Sequence, residues 1–145
     1  MIGTLVKYND QAEQIAKRMR LAAYRRVDKA AFKIRKDAVG YITKGEAVQV
    51  GVKKTSRKRA RIQPSTPGTP PHTRFGQLKK AIVYDSKRGE AVIGPRKSVV
   101  GLSAEAHEFG GMFKGEEYPE RSFMGPALQQ NLTEFGSSFQ GSIGG

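Results

Sequence analysis

The side chains that could do acid–base or metal chemistry are few and lie far apart in this sequence. It has two histidines, His72 and His107, and no cysteine, which excludes disulfides and thiolate metal sites. His107 and Glu108, with Glu105 nearby, are too sparse a set of ligands for a zinc site. No Gly-x-Ser-x-Gly nucleophile motif occurs. The sequence therefore predicts a protein that is not an enzyme and that binds no metal or cofactor.

Two further patterns look like chemistry at first sight. Residues 94–98 (GPRKS) end like a phosphate-binding loop, but they lack its glycine spacing, and Pro95 removes an amide that such a loop needs. The carboxylates of Glu116, Glu117 and Glu120 stand in a charged run that is typical of a solvated surface. Neither pattern supplies a reacting group.

The excess positive charge is confined to one third of the chain. The 145 residues carry 26 Lys and Arg against 13 Asp and Glu, a net charge of +13. Residues 17–61 hold 16 of the basic and 3 of the acidic side chains, whereas the other residues hold ten of each. Such a block favours a polyanion or an acidic protein surface as partner, although a solvated helix face is the simpler alternative.

Hydrophobic patterning predicts an α+β fold in a single domain, residues 1–145. Residues 9–39 have apolar positions at helical spacing, with Asn9 or Asp10 as N-cap and Gly40 as the stop. The predicted helical stripe is Ile15, Met19, Ala22, Ala23, Ala30, Ile34 and Ala38. We expect this long N-terminal helix to pack on a small antiparallel sheet.

The remaining elements are shorter. Residues 47–52 alternate like a short strand, residues 75–83 suggest a helix that runs into a strand, and residues 82–94 suggest a hairpin whose turn uses Gly89. A short helix is expected over 101–109, with Ser103 as its cap. A C-terminal helix is expected over 125–135, and it carries Ala127, Leu128, Leu132 and Phe135. Residues 136–145 are predicted to be a flexible tail.

Residues 53–74 form a long basic segment rich in proline. Proline removes a backbone donor and clashes with a preceding helical turn, so neither a regular helix nor a central strand fits. We expect an extended loop or arm that docks on a neighbour, with an ordinary linker as the alternative. On this reasoning, deletion of residues 65–71 should leave the domain folded.

Three later segments resemble a family of tail-component proteins of long-tailed bacteriophages. Residues 63–82 (QPSTPGTPPHTRFGQLKKAI) resemble the family's PG-x-PP-H-x-R-x-G-x-L stretch. Residues 106–111 (AHEFGG) resemble its E-F-G box, and residues 118–128 (YPERSFMGPAL) resemble its P-A-R-P-F-M-x-P-A-L box. The three boxes occur in the family's order. Ser122 departs from the proline usual there, although Arg121 and Phe123 are kept.

The resemblance implies a structural virion protein of the neck, tail-completion or minor tail type, at the head–tail junction or the head-proximal tail end. It implies assembly in the host cytoplasm into a ring of six copies. The implied partners are other copies of the chain, adjacent neck and tail proteins such as stopper, tail terminator or tail tube, and genomic DNA passing through the channel. No apolar stretch is long enough to span a membrane, so no membrane partner is expected.

Two sets of contact residues are predicted from the boxes and from the charge. The candidate subunit contacts are Pro67, Pro70, Pro71, His72, Arg74, Glu108, Phe109, Pro119, Arg121 and Phe123. Burial in the core is the alternative for Phe109 and Phe123, and a paired bond with a carboxylate is suggested for Arg121. The candidate contacts to DNA or to an acidic partner are Lys53, Lys54, Arg57, Lys58, Arg59 and Arg61.

A basic nucleic-acid-binding protein, of ribosomal or nucleoid-associated type, is the alternative function. Its size, its pI near 10.2 and the basic run over 53–61 suit that class. The basic run has no interleaved aromatic residues for stacking on bases, which counts against it.

Overall fold

Two helices and a β-hairpin form the frame of an α+β fold. A computed structural model describes the backbone of residues 2–44, 47–48, 61–138 and 140, and the side chains of 11–43, 63–138 and 140. In chain order the elements are α1 (Ile2–Tyr41), β1 (Thr43–Lys44), β2 (Ala47–Val48), β3 (Arg61–Ile62), β4 (His72–Thr73), α2 (Gln77–Ala81), β5 (Ile82–Lys87), β6 (Glu90–Pro95), α3 (Lys97–Val100), α4 (Ser103–Phe109), β7 (Gly111–Phe113), β8 (Glu116–Tyr118) and α5 (Met124–Ser138).

Helix α1 packs its C-terminal half on the β5–β6 hairpin and on α5. Its buried side chains there are Ala31, Ile34 and Ala38, and Arg35 Nε donates to the carbonyl of Ile82 at 2.8 Å. The predicted boundaries of this helix were wrong, because α1 begins at Ile2 and ends at Tyr41. The apolar residues near its start, at positions 2, 5 and 6, have helical spacing, so the pattern continues through the predicted cap.

The β5–β6 hairpin is the longest strand pair and confirms the predicted one. Its six residue pairs run from Ile82 opposite Pro95 to Lys87 opposite Glu90. Arg88 and Gly89 both have positive φ, 53° and 87°, which is the type I′ geometry that suits the twist of a hairpin. A Cβ atom at Gly89 would lie 3.0 Å from the Tyr24 ring, so the turn also requires glycine for its contact with α1.

The other strand pairs are short. β1 pairs in parallel with β4, β2 pairs antiparallel with β3, and β7 pairs antiparallel with β8. The β2–β3 pair encloses residues 49–60, which lie outside the described residues and include the first eight residues, 53–60, of the predicted basic segment. The predicted strand over 47–52 is seen only as β2, because residues 49–52 lie outside them as well.

The core forms where α1, α2, β5 and α5 meet. Its largest fully buried side chains include Phe123, Ile42 and Ile82, each of which contributes about 1.5–3 kcal/mol by leaving water. On α5, Ala127 and Asn131 face this core, and Asn131 Nδ2 donates to Asp37 Oδ2 of α1 at 2.7 Å. The C-terminal helix is confirmed and extends to Ser138, so the predicted flexible tail overlaps it over residues 136–138.

Candidate functional site

The three segments that resemble the phage family lie far apart in sequence and meet in space. Gly68 N donates to Glu120 O at 2.9 Å, which joins the first segment to the third. Arg121 N donates to His107 O at 2.7 Å, which joins the third to the second. We call this meeting point of residues 63–74, 107–111 and 116–125 the three-segment junction. It is the candidate functional site.

Glu108 holds the start of α5 at the junction. Its Oε2 accepts from Phe123 N at 2.9 Å and from Met124 N at 3.0 Å, and its Oε1 accepts from Gly125 N at 2.7 Å. These amides open α5 and have no carbonyl partner within their own helix. A carboxylate also interacts favourably with the positive end of the helix dipole. Glu108 therefore acts as a cap supplied from a different helix, α4.

Arg121 anchors the proline-rich loop from inside the junction. Its side chain is buried, and Nε donates to Ser65 O at 3.0 Å while Nη1 lies 3.5 Å from Pro119 O. The guanidinium thus bonds to backbone carbonyls of its own chain. These two bonds lie within one chain, and the pairing of Arg121 with a carboxylate of a neighbouring subunit stays a prediction.

The described part of the proline-rich segment, residues 63–74, is folded back and is not an extended arm. Thr69 N donates to Thr66 O at 3.0 Å, and Gly68 has φ 79°, so residues 66–69 make a tight turn of the Pro-Gly type. His72 Nδ1 lies 3.0 Å from Gln63 O and closes the base of the loop.

The expectation that residues 65–71 are dispensable was therefore wrong. Ser65 and Pro71 are buried, and Ser65 O receives the Arg121 bond. Removal of the segment would take out part of the packed interior together with an acceptor for a buried charge.

Gly110 is required by the close approach of two segments. It has φ 66°, and a Cβ atom there would lie 3.0 Å from Glu120 N and 3.1 Å from Tyr118 O. Backbone atoms cannot swing aside as a flexible side chain can. The glycine of the E-F-G box thus lets the end of α4 lie against the segment after β8.

A cleft of about 530 Å³ opens on the junction. Both histidines border it, together with Arg74, Arg121, Glu116 and Glu117. Ser65 Oγ and His107 Nδ1 are buried there without a hydrogen-bond partner among the described residues. The cleft mixes both signs of charge, which suits a polar protein segment better than a simple anion.

Burial lowers the pKa of His107 below its ordinary value of 6.5, and the positive charge of Arg121 lowers that pKa further. Below pH 6.5 the unfolded chain therefore binds a proton at this imidazole more readily than the folded chain. The free energy of unfolding should fall as the pH drops from about 7.5 to 5.5, and in His107→Gln this fall should be smaller. Urea unfolding at each pH measures it. An unchanged slope in the variant would contradict the assignment.

The described residues contain no group of three or more His, Asp or Glu that could hold a metal ion. Within the same part of the chain, no helix is long and apolar enough to cross a bilayer.

The predicted subunit contacts divide into buried and accessible residues. Pro71, Arg121 and Phe123 are buried within the chain, and the prediction of Pro71 and Phe123 as contacts to a neighbour is corrected. Glu108 is occupied by the α5 amides. The predicted contacts that remain accessible are Pro67, Pro70, His72, Arg74, Phe109 and Pro119.

Phe109 and Phe123, both predicted as subunit contacts with core burial as the alternative, differ in their exposure to solvent. Phe123 is 0% exposed, which confirms its alternative as a core residue, whereas Phe109 is 77% exposed at the end of α4. Large apolar side chains close to the junction are also exposed at Phe75 and Met112. Sequence reasoning did not single out these two, because an isolated apolar residue beside a turn gives no periodic signal.

The candidate contacts to DNA or to an acidic partner fall almost entirely outside the described residues. Lys53, Lys54, Arg57, Lys58 and Arg59 lie outside the described residues, and only the backbone of Arg61 is described, in β3. Three other basic side chains lie among the described residues of α1 and are exposed to solvent: Lys17, Arg18 and Arg20.

Comparisons of the chain with family models, with curated proteins and with solved structures give no significant match. The arrangement of helices and strands defines the class of the protein as α+β.

Proposed function

We propose that this chain is a structural virion protein of a long-tailed phage and not an enzyme. In this proposal it forms a closed ring, of six copies, at the head–tail junction or at the head-proximal end of the tail. It completes the tail or joins heads to tails, in contact with adjacent neck or tail proteins and around the path of the DNA.

The observation that supports the proposal best is the convergence of the three boxes. Residues 63–74, 106–111 and 118–125 are separate in sequence, yet each supplies a residue that the others need. Arg121 holds Ser65, Glu108 holds the amides from Phe123 onward, and Gly110 makes room for Glu120. Three unrelated matches would not be expected to share one junction. The three boxes are thus joined by hydrogen bonds and close packing at one place in the fold.

The surface around that unit also favours assembly. Phe75, Phe109 and Met112 are each at least 70% exposed near the junction. Exposed aromatic and methionine side chains are common at protein interfaces and costly in contact with water. In a cyclic ring, each subunit presents one face to a different face of its neighbour, so exposed side chains of this kind would be covered where two subunits meet.

The virion itself gives the direct test. A reconstruction of the neck and upper tail of a phage that encodes this chain should show a ring of copies there. A nonsense mutation in its gene should give heads and tails that do not join, or tails that are not completed, and supplying the protein in trans should restore infectious particles. Infectious particles at normal yield without the protein would refute the proposal.

Nucleic-acid binding is the second candidate, and the exposed Lys17, Arg18 and Arg20 on α1 favour it. Binding to phosphates releases counterions, so affinity for random-sequence duplex DNA should fall about 10³-fold or more between 50 and 200 mM salt if about six to ten phosphates are contacted. Fluorescence anisotropy of a labelled duplex measures this. Tight binding together with absence from the virion would favour the second candidate.

A further inference from the structure

The N-terminal half of α1 extends past the part of the fold that covers it. Tyr24 touches Gly89 at the hairpin turn, and Asp28 accepts from Ser86 Oγ at 2.5 Å. N-terminal to Tyr24, none of the described side chains, from position 11 onward, is buried. At 1.5 Å per residue, residues 11–23 alone form about 20 Å of exposed helix.

This exposed helix carries an apolar face inside a basic surface. A single helix face contains Ile15, Arg18, Met19 and Ala22, which stand at positions i, i+3, i+4 and i+7, and three of the four are apolar. Ile15 is 57% exposed. Lys17 and Arg20 lie beside it. Among the described residues, Lys17, Arg18 and Arg20 have no ion pair. We call residues 15–22 the basic helix face.

A surface of opposite charge lies around the end of α4. Residues 102–120 contain five glutamates and one lysine. Glu105 and Phe109 are four residues apart on α4, Met112 is directly opposite Glu117 in the β7–β8 pair, and Glu120 adjoins Gly110. All five side chains are exposed. We call Glu105, Phe109, Met112, Glu117 and Glu120 the acidic face.

We infer that the basic helix face of one copy docks on the acidic face of the next copy. The inference rests on the proposed function, because it names the two faces that meet in the ring. Each face combines large exposed apolar side chains with charged side chains that form no ion pair within the part of the chain that the structure describes, and the charges of the two faces are opposite. Different faces on the two sides of a contact give the head-to-tail arrangement that closes a ring.

Other occupants fit these faces less well. Two basic helix faces would repel each other. The apolar groove between α1 and α5, lined by Val27, Leu128 and Leu132, is flanked by the exposed Lys29, which would repel a basic helix. Duplex DNA would neutralise the charges but would leave Ile15 and Met19 in water.

A charge swap on the full-length chain tests the inference. The helix-reversed variant carries Lys17→Glu, Arg18→Glu and Arg20→Glu, and the acid-reversed variant carries Glu105→Lys, Glu117→Lys and Glu120→Lys. Each alone should weaken self-association at low salt by about 100-fold or more, because like charges then face each other. An equimolar mixture should associate again, since each variant offers the other a complementary face. Sedimentation velocity measures the masses.

The matched control reverses three exposed lysines elsewhere, with Lys80→Glu, Lys87→Glu and Lys97→Glu. It makes the same change in net charge as the helix-reversed variant and should change self-association by less than about threefold. Circular dichroism should show that all variants keep the helix content of the wild type.

Three outcomes would overturn the inference. The helix-reversed variant could associate as the wild type does, the mixture of reversed variants could stay monomeric, or the wild type could stay monomeric up to about 1 mM at low salt. A ring in the virion that tolerates both reversals would refute these faces and leave the proposed function standing. If the charge swap succeeds but the protein is absent from virions, the proposed function would be refuted and the docking of the two faces would stand.

Discussion

Glu108→Ala should lower the free energy of unfolding by about 2–3 kcal/mol, because it removes a charged cap from the start of α5. The carboxylate accepts three amide hydrogen bonds, from Phe123, Met124 and Gly125, at 2.7–3.0 Å. Without it, the amides that open α5 lose their acceptor beside the fully buried Phe123. Urea unfolding followed by circular dichroism measures the change.

The series around Glu108 separates the cap from the mere loss of a side chain. Glu108→Gln keeps one oxygen and loses the charge, so it should cost about 1 kcal/mol. Glu105→Ala is the matched control, because Glu105 is exposed on the same helix and its loss should change stability by no more than about 0.5 kcal/mol. Equal effects of the two alanine substitutions would show that the bonds to α5 do not contribute.

The parts of the fold that follow from local patterns could be predicted from the sequence. The apolar residues of 82–84 and 90–94 and a turn over 85–89 ending at Gly89 predicted the β5–β6 hairpin. The hairpin is confirmed, but its strands run on to Lys87 and Glu90 and its turn is the shorter Arg88-Gly89. The helical periodicity predicted α1, α4 and α5. The α+β class followed from the order of these elements.

The boundaries and the burial of these elements depend on contacts that periodicity does not encode. On α5, the predicted apolar residues Leu128 and Leu132 are 45% and 48% exposed, while Asn131 is buried. Asn131 is satisfied by Asp37 of α1 and by its own helix, at Ala127 O. A polar residue becomes a core residue when a distant partner meets it, and a single helix pattern carries no sign of that partner.

The roles of residues in the candidate site also depend on contacts that local sequence patterns do not encode. The three boxes were found in the sequence, but the roles predicted for their residues were intermolecular. The structure gives Arg121, Glu108 and Pro71 intramolecular roles, because residues 15 to 56 positions apart come together. Arginine and glutamate beside turns are ordinary surface residues by pattern alone. Their bonds to carbonyls and amides of remote segments could not be read from spacing.

The apolar stripe predicted on α1 is buried only in the C-terminal half of the helix. Ile34 and Ala38 are buried, whereas Ile15 and Met19 on the same predicted stripe are exposed. Periodicity identifies an apolar face but not what covers it. The half that no described residue covers is where the inferred contact with a second copy lies, so the disagreement between pattern and burial is what motivates that inference.

Arg121→Ala should lower the free energy of unfolding by about 3 kcal/mol. The side chain is buried, and its loss takes the donor from Ser65 O and removes the packing of its aliphatic stem. Arg121→Lys should be intermediate, because a single ammonium cannot reproduce the fork that reaches Ser65 and Pro119 together. Arg74→Ala is the matched control. Arg74 borders the same cleft but is exposed and stacks on Phe75, so its loss should cost at most about 1 kcal/mol.

Hydrogen exchange at a single amide identifies why Arg121→Ala loses stability. The amide of Gly68 donates to Glu120 O, and that bond holds the proline-rich loop against the segment that contains Arg121. If Arg121 anchors the loop, hydrogen exchange at Gly68 should speed up in Arg121→Ala by more than the global loss of stability accounts for, since the loop can then open alone. In Arg74→Ala it should stay at the wild-type rate. Exchange at Gly68 that follows global stability in every variant would mean that the loop is held by other contacts, and that Arg121 stabilises the junction only as part of the packed interior.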